Sequence, residues 1–202
     1  ARLTAASLLP SNFSEDGKYW FDGYNGNPDT RTPVTHGNPA WVQFATVAGA
    51  GRVLRTQGSG GSAYNHVGQV GVIRWQPGMR LRAEARVKSL SGSQAAHVTL
   101  LPLDANYQYL NTGVVVGSAT VGESEYSSVV AENTADLPAG PVWVRVSLRT
   151  PPASTNWLEW TELVVRDVTA TKEAQGYASA AATSASTATT KATEASTSAS
   201  AA

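Results

Sequence analysis

The first 169 residues combine short apolar runs with a strict two-residue alternation, which predicts β-strands. In segment 81–88, Leu, Ala, Ala and Val alternate with Arg, Glu, Arg and Lys. In segment 142–149, three Val and one Leu alternate with Trp143, Arg145, Ser147 and Arg149. A period of two places one face of a strand in the core and the other towards solvent or a ligand. The polar faces are therefore interpreted either as solvated surfaces with Arg/Glu pairs or as binding surfaces. Trp143 favours a binding surface, because a large aromatic side chain on an exposed face is typical of an interaction site.

Turn-forming segments such as GSGGS, QPG, SGS and DLPAGP separate several of these runs, and sustained helical periodicity is missing up to residue 169. Many short strands at such spacing predict an all-β sandwich or barrel. Trp20, Trp41, Trp75 and Trp160 are assigned to its core, since buried positions suit large rings. The predicted strands are 40–47, 51–57, 67–75, 79–89, 95–104, 111–121, 125–132, 141–150 and 157–168.

The last 33 residues, 170–202, change to Ala, Ser and Thr, and the spacing of their alanines predicts a coiled coil. Alanine recurs at alternating steps of four and three, which is a heptad with Ala at every a and d position. An Ala seam buries only one methyl group per position, about 0.8 kcal/mol at best, so such a coil depends on neighbouring domains or further repeats. A flexible linker is the alternative. The oligomerisation residues are Ala174, Ala178, Ala181, Ala185, Ala188, Ala192, Ala195, Ala199 and Ala202.

Composition excludes several classes of function. Fifteen basic and fifteen acidic residues balance, which gives no basic footprint for nucleic acid. The longest apolar runs are too short for a membrane span. The chain has no cysteine, so disulfides and thiol chemistry are excluded. The three histidines lack metal-ligand spacing, and no catalytic motif is recognised.

In EWTE, Glu159 and Glu162 are three residues apart, which on a regular strand places them on opposite faces, whereas a glycosidase needs its two acids on either side of one bond. We therefore expect no enzyme activity.

The predicted loops and strand faces are rich in aromatic and planar polar residues. Flat rings cover the apolar faces of sugars, and amide or guanidinium groups match their hydroxyls. The same residues also characterise general recognition surfaces. The candidate ligand-binding residues are Tyr64, Asn65, His66, Gln69, Tyr107, Gln108, Tyr109, Trp143, Arg145 and Trp157.

Segments LLPSNFSEDGKYWFDGY, VGQVGVIRWQPGMRLRAEARV and WLEWTELVVRDV, in that order, resemble the jelly-roll carbohydrate-binding modules attached to cellulases and xylanases. The resemblance covers most of residues 5–168 and implies a jelly-roll β-sandwich. It also implies a structural calcium near the two chain ends, for which Glu15, Asp16 and Glu162 are the positional matches. Thr161 stands where the family has a second acidic residue, so ordinary solvated acids are the alternative.

The Ala/Ser/Thr heptads after a β-sandwich resemble the shafts of bacteriophage tail fibres and central tail-tip proteins, which are commonly parallel homotrimers. Together the resemblances imply a sandwich (1–169) followed by a trimeric coil (170–202). The expected function is non-catalytic binding of a host-surface glycan, on the virion tail outside the bacterial cell. A structural spacer or collar that binds no sugar is the alternative.

Overall fold

The computed structural model describes residues 7–9, 13, 18–138, 140–153 and 155–200. It divides the chain into two units, Ala1–Asp167 and Val168–Ala202. The first unit consists of two antiparallel sheets, so the predicted β-sandwich is confirmed. The second unit is one helix.

One sheet, called the first sheet, has the order β1-β4-β10-β7-β8, with β5 paired to β10. The other, called the second sheet, has the order β2-β3-β11-β6-β9. The strands are β1 (Trp20–Asp22), β2 (Val42–Val47), β3 (Gly51–Gln57), β4 (Asn65–Gln69), β5 (Ile73–Arg74), β6 (Leu81–Ser89), β7 (Gln94–Leu103), β8 (Val115–Val121), β9 (Ser127–Glu132), β10 (Trp143–Thr150) and β11 (Trp157–Asp167). A short 3-10 turn lies at Pro28–Thr30.

The predicted strands match the observed ones closely, with two differences. Strand β1 is only three residues long, too short to give an alternation. The predicted run 67–75 is split into β4 and β5 by residues 70–72. At the split, the Val70 N–H donates to the Tyr19 carbonyl and the Val70 carbonyl accepts from the Arg145 side chain, so neither group bonds the backbone of β10.

The core lies between the two sheets and contains the alternating apolar residues of β6 and β10. Trp20, Trp75 and Trp160 belong to it and Trp41 packs against it, as predicted. A buried polar chain crosses the core. Trp160 Nε1 donates to Thr56 Oγ1 at 2.8 Å, and Thr56 Oγ1 lies 2.7 Å from Thr150 Oγ1. Since Thr150 is on the first sheet and the other two are on the second, these bonds join the sheets.

The backbones of the two sheets come into close contact at Gly117 of β8. A Cβ there would lie 1.9 Å from the Val130 carbonyl oxygen of β9. Side chains normally keep packed sheets about 10 Å apart, so this contact requires glycine. The strands β8 and β9 thereby close one side of the sandwich.

Helix α1 spans Thr169–Ser200, which confirms the predicted C-terminal helix. Its described residues are all exposed apart from Thr169, which is partly covered. Many Ser and Thr hydroxyls donate to the carbonyl four residues earlier, as Thr187 does to Thr183 at 3.0 Å. Lys191 pairs with Glu194 at 2.7 Å. The alanines with heptad spacing from Ala174 to Ala199 lie within it, and Ala202 is outside the described residues. The coiled coil stays a prediction. Among the described residues, no helix has the length and apolarity to cross a bilayer.

Candidate binding face on the first sheet

The outer face of the first sheet gathers five aromatic side chains, which we call the aromatic face. Tyr24 contacts the rings of His66 and Tyr109, with centroid distances of 4.7 and 5.6 Å. Tyr107 stacks on Trp143 at 5.5 Å and 18°. Tyr64 is 41% exposed. The aromatic face therefore consists of Tyr24, Tyr64, Tyr107, Tyr109 and Trp143.

A row of polar residues crosses four strands next to Tyr64, and we call it the basic row: His66 (β4), Arg149 (β10), His97 (β7) and Ser118 (β8). The strand register places these residues side by side on one face. Arg149 Nε and Nη2 lie 3.1 and 2.9 Å from His97 Nδ1. The Arg149 guanidinium also lies 4.1 Å from the Tyr64 ring centroid. The row thus holds a cation against an aromatic ring.

Burial and the neighbouring cation lower the pKa of both histidines of the basic row, which favours their neutral forms. Burial, followed by Arg149 and His97, lowers the pKa of His66 to about 4. Burial and Arg149 lower the pKa of His97. Since His97 Nδ1 faces two guanidinium nitrogens, it acts as their acceptor and carries its proton on Nε2. His66 Nδ1 lies 3.2 Å from Ser147 Oγ, which is 2.6 Å from Thr99 Oγ1.

Arg145, a predicted ligand-binding residue, is fully buried and holds the loops instead of facing a ligand. Its Nη1 donates to the Tyr24 carbonyl at 2.9 Å, and its Nη2 lies 3.0 Å from the Gly26 carbonyl and 3.4 Å from that of Val70. The Phe21 ring lies 4.8 Å away. Burial is the main cause that lowers the pKa of Arg145 to about 10. In the described structure the segment 23–31 covers Arg145, and its role in ligand binding stays a prediction.

The loop 104–109 positions Tyr107 and Tyr109. Asp104 Oδ1 accepts from the N–H groups of Asn106 and Gln108 at 2.8 and 2.9 Å, which shapes the turn. The Gly26 N–H donates to the Tyr107 carbonyl, and the Tyr109 N–H donates to Asn25 Oδ1, both at 2.8 Å. The two loops therefore support one another over the sheet.

The other predicted ligand-binding residues are distributed unevenly. Tyr64, His66, Tyr107, Tyr109 and Trp143 all belong to the surface just described, and Gln108 is exposed beside it.

Three of the ten predicted positions lie elsewhere. Gln69 is 1% exposed and pairs with Trp20 of the core. Asn65 donates to the Gln57 carbonyl at 2.7 Å, at the end of β4. Trp157 begins β11 in the second sheet, where it pairs with Gln57 of β3.

Tyr24, His97 and Arg149 belong to this surface but were not among the predicted binding residues. Arg149 was identifiable from the alternation of 142–149, which places it on the face of Trp143. The positions of His97 and Tyr24 depend on strand register and loop path, for which the sequence carries no local signal.

Glu159 and Glu162 lie on the same face of β11, contrary to the expectation from their spacing. The register shifts at a bulge after Trp160, so that Glu159 pairs with Lys88 and Glu162 with Arg86. Glu159 is 1% exposed in its side chain; it forms ion pairs with Arg55 at 2.6 Å and Lys88 at 3.6 Å, and accepts from the Tyr126 hydroxyl. Although burial opposes it, the bonds from Tyr126 and Arg55 lower the pKa of Glu159.

The predicted calcium site falls mostly outside the described residues. Glu15 and Asp16 are not described, whereas Glu162 lies on β11. Within the described ranges, no group of three His, Cys, Asp or Glu residues could hold a metal ion. Calcium binding stays a prediction.

Comparison with known proteins finds likeness in structure and none in sequence. No family model matches the chain, and no curated protein matches it. The chain is similar to the CBM22-1–GH10 modules of endo-1,4-β-D-xylanase 10B of Clostridium thermocellum complexed with xylohexaose (TM-score 0.54, 13% identity, 81% of this chain and 29% of that chain). It is also similar to the enzymatically active domain of tailspike protein 4 of bacteriophage CBA120 (TM-score 0.55, 11% identity, 80% of this chain and 21% of that chain). The chain thus spans less than a third of either protein, and at these identities the likeness is one of fold.

Proposed function

We propose that the sandwich is a jelly-roll module that binds glycans without catalysis. One observation carries this proposal: the aromatic face joins five partly exposed rings to the basic row on one sheet surface. Rings provide flat apolar area for a sugar ring, and the neighbouring imidazole and guanidinium groups provide directional hydrogen bonds. Trp143 and Arg149 are six residues apart on β10, so the surface extends about 20 Å along the strand. That length suits an oligosaccharide better than a single sugar.

Glycan-array screening of the full chain, followed by calorimetry with Tyr64→Ala and Trp157→Ala, tests this proposal. Tyr64 is exposed on the aromatic face, whereas Trp157 is a matched aromatic residue on the second sheet. We expect Tyr64→Ala to weaken binding about tenfold, the loss of roughly 1.4 kcal/mol of ring contact. Trp157→Ala should bind like wild type. Loss with Trp157→Ala alone would move the site to the second sheet, and no glycan signal at all would favour the spacer alternative.

We further propose that the chain belongs to a bacteriophage tail fibre or tail-tip protein and attaches the virion to the outside of its bacterial host. The support is helix α1, whose 32 residues extend about 48 Å with Ala at the heptad seam. Its side chains are almost all exposed in the single chain, and a helix of Ser, Thr and Ala gains little stability alone. Parallel association of three helices would cover the seam and present three binding faces, so that weak sites gain avidity.

Sedimentation equilibrium tests the trimer. The full chain should reach three times its monomer mass of 21.1 kDa as concentration rises, while a chain ending at Asp167 should stay monomeric. A monomeric full chain at millimolar concentration would contradict the coiled coil.

A further inference from the structure

The outer faces of the two sheets differ in charge. The strand positions on the outer face of the first sheet carry Arg74, Arg145 and Arg149, and in the described strands none of them is a carboxylate. The outer face of the second sheet carries both signs, with Glu84, Glu132, Glu159 and Glu162 among its arginines and lysine. Although the chain has no net charge, the strand positions on the outer face of the first sheet are therefore cationic.

Arg149 is the accessible cation of the basic row, whereas Arg74, the other accessible cation of this face, lies over the Trp143 ring. A guanidinium has five N–H donors in a fixed fork. In the described structure, Arg149 directs two of its nitrogens at the single atom His97 Nδ1, which leaves most of its donors unused. It forms no ion pair with the described residues, whereas Arg82 on the second sheet contacts both Glu84 and Glu132. Arg149 is only partly buried, so a ligand can reach it.

Partly exposed apolar side chains lie near the two ends of the basic row, and one of them, Tyr64, contacts the Arg149 guanidinium. Tyr64, two residues before His66 in the chain, is 41% exposed. Val116, two residues before Ser118 on β8, is 40% exposed. Tyr24 covers His66 from the loop side. Rings beside an unpaired guanidinium fit a ligand that has both a flat apolar face and an anionic group.

We infer that the basic row gives the module preference for anionic saccharides, with Arg149 binding the carboxylate, sulfate or phosphate group while Tyr64 and Tyr24 contact the sugar ring. The inference rests on the proposed glycan binding and specifies its ligand class. Arginine binds planar oxyanions through two parallel bonds, and a neutral sugar of the same shape would leave this charge uncompensated.

The first experiment is an array of saccharide pairs that differ only in the acidic group: uronic acid against the parent hexose, and sialylated, sulfated and phosphorylated glycans against their neutral parents. We expect the acidic saccharide of a pair to bind and its neutral parent to bind weakly or not at all. Comparison of the uronic acid, sialylated, sulfated and phosphorylated pairs identifies the preferred anion. Binding of neutral members alone would overturn the inference and leave glycan binding intact. Binding of neither would overturn both.

The second experiment is calorimetry of the strongest pair with Arg149→Gln, Arg149→Lys and Arg52→Gln. Arg149→Gln should weaken binding of the anionic member about tenfold to a hundredfold, as expected for a charged hydrogen bond, and should hardly change binding of the neutral member. Arg149→Lys keeps the charge without the fork and should lie between. Arg52→Gln removes one cation from β3 of the second sheet and should bind like wild type.

Circular dichroism and the urea midpoint establish that each variant is folded. If Arg149→Gln is unstable, the comparison of Arg149→Lys with wild type still tests the contact between Arg149 and the anionic group. Equal loss with Arg52→Gln would mean that net charge alone attracts the ligand. Unchanged binding of the anionic member by both Arg149 variants would overturn the role of the basic row.

Discussion

Acidification should destabilise the sandwich through His66. The pKa of this histidine is about 4 in the folded chain, against 6.5 for the free side chain, because of burial first and then Arg149 and His97. The unfolded state therefore binds a proton that the folded state excludes. The free energy of unfolding is fully retained above pH 6.5 and falls as the pH decreases towards 4. His97 acts in the same direction, since its pKa is also lowered.

The size of the effect follows from proton linkage. At pH 5, unfolded His66 is almost fully protonated and folded His66 is about one tenth protonated. The resulting loss relative to pH 7.5 is about 2 kcal/mol, a large part of the stability of an ordinary domain. Replacing His66 by Gln removes this titration and keeps a group that can bond Ser147 Oγ.

Urea unfolding at pH 7.5 and 5.0, monitored by tryptophan fluorescence, measures this loss of unfolding free energy. All six tryptophans lie in the sandwich, so the signal reports that unit and not the helix. Wild type should lose about 2 kcal/mol more than His66→Gln between the two pH values. His36→Gln, an exposed histidine that contacts the Phe44 backbone, is the control and should behave like wild type. If wild type and His66→Gln differ by less than about 0.5 kcal/mol, the reasoning about burial beside Arg149 is refuted.

Two substitutions test the packing. Arg145→Met should lower the free energy of unfolding by about 3 to 5 kcal/mol in the same urea assay, because the buried carbonyls of Tyr24, Gly26 and Val70 lose their donor; an unchanged urea midpoint would show that water replaces the guanidinium. Gly117→Ala should cost about 3 kcal/mol or more, since its Cβ would overlap the Val130 carbonyl. Gly122→Ala, with its nearest neighbour at 4.0 Å, should be nearly neutral by comparison, and equal losses would contradict the close approach of β8 and β9.

The strands were predictable because alternation is local, and the surface was only partly so. The alternation in 142–149 correctly placed Trp143, Arg145 and Arg149 on one face, but it could not show that a loop distant in sequence covers Arg145. A solvated face with Arg/Glu pairs was one interpretation of both polar faces. It holds for β6, where Arg82 contacts Glu132, and fails for β10.

Register limited the prediction in the same way. The basic row exists because four separate strands align His66, Arg149, His97 and Ser118, and no spacing within the sequence encodes that alignment. A single inserted residue at the bulge of β11 likewise brought two acids to one face. Both features arise from pairing across strands, which an alternation pattern does not contain.

The anchor formed by Arg145 has a consequence for how the surface can diversify. Its partners are backbone carbonyls, which every amino acid possesses. Gly26 is nevertheless fixed, because its φ is 105° and a Cβ would lie 1.9 Å from Arg31 Nη2. Asn25 is also constrained, since its side chain accepts from the Tyr109 N–H. Position 24 carries neither restriction. Its side chain can be exchanged while the loop stays anchored, which makes it the natural point for retuning the surface to a different ligand.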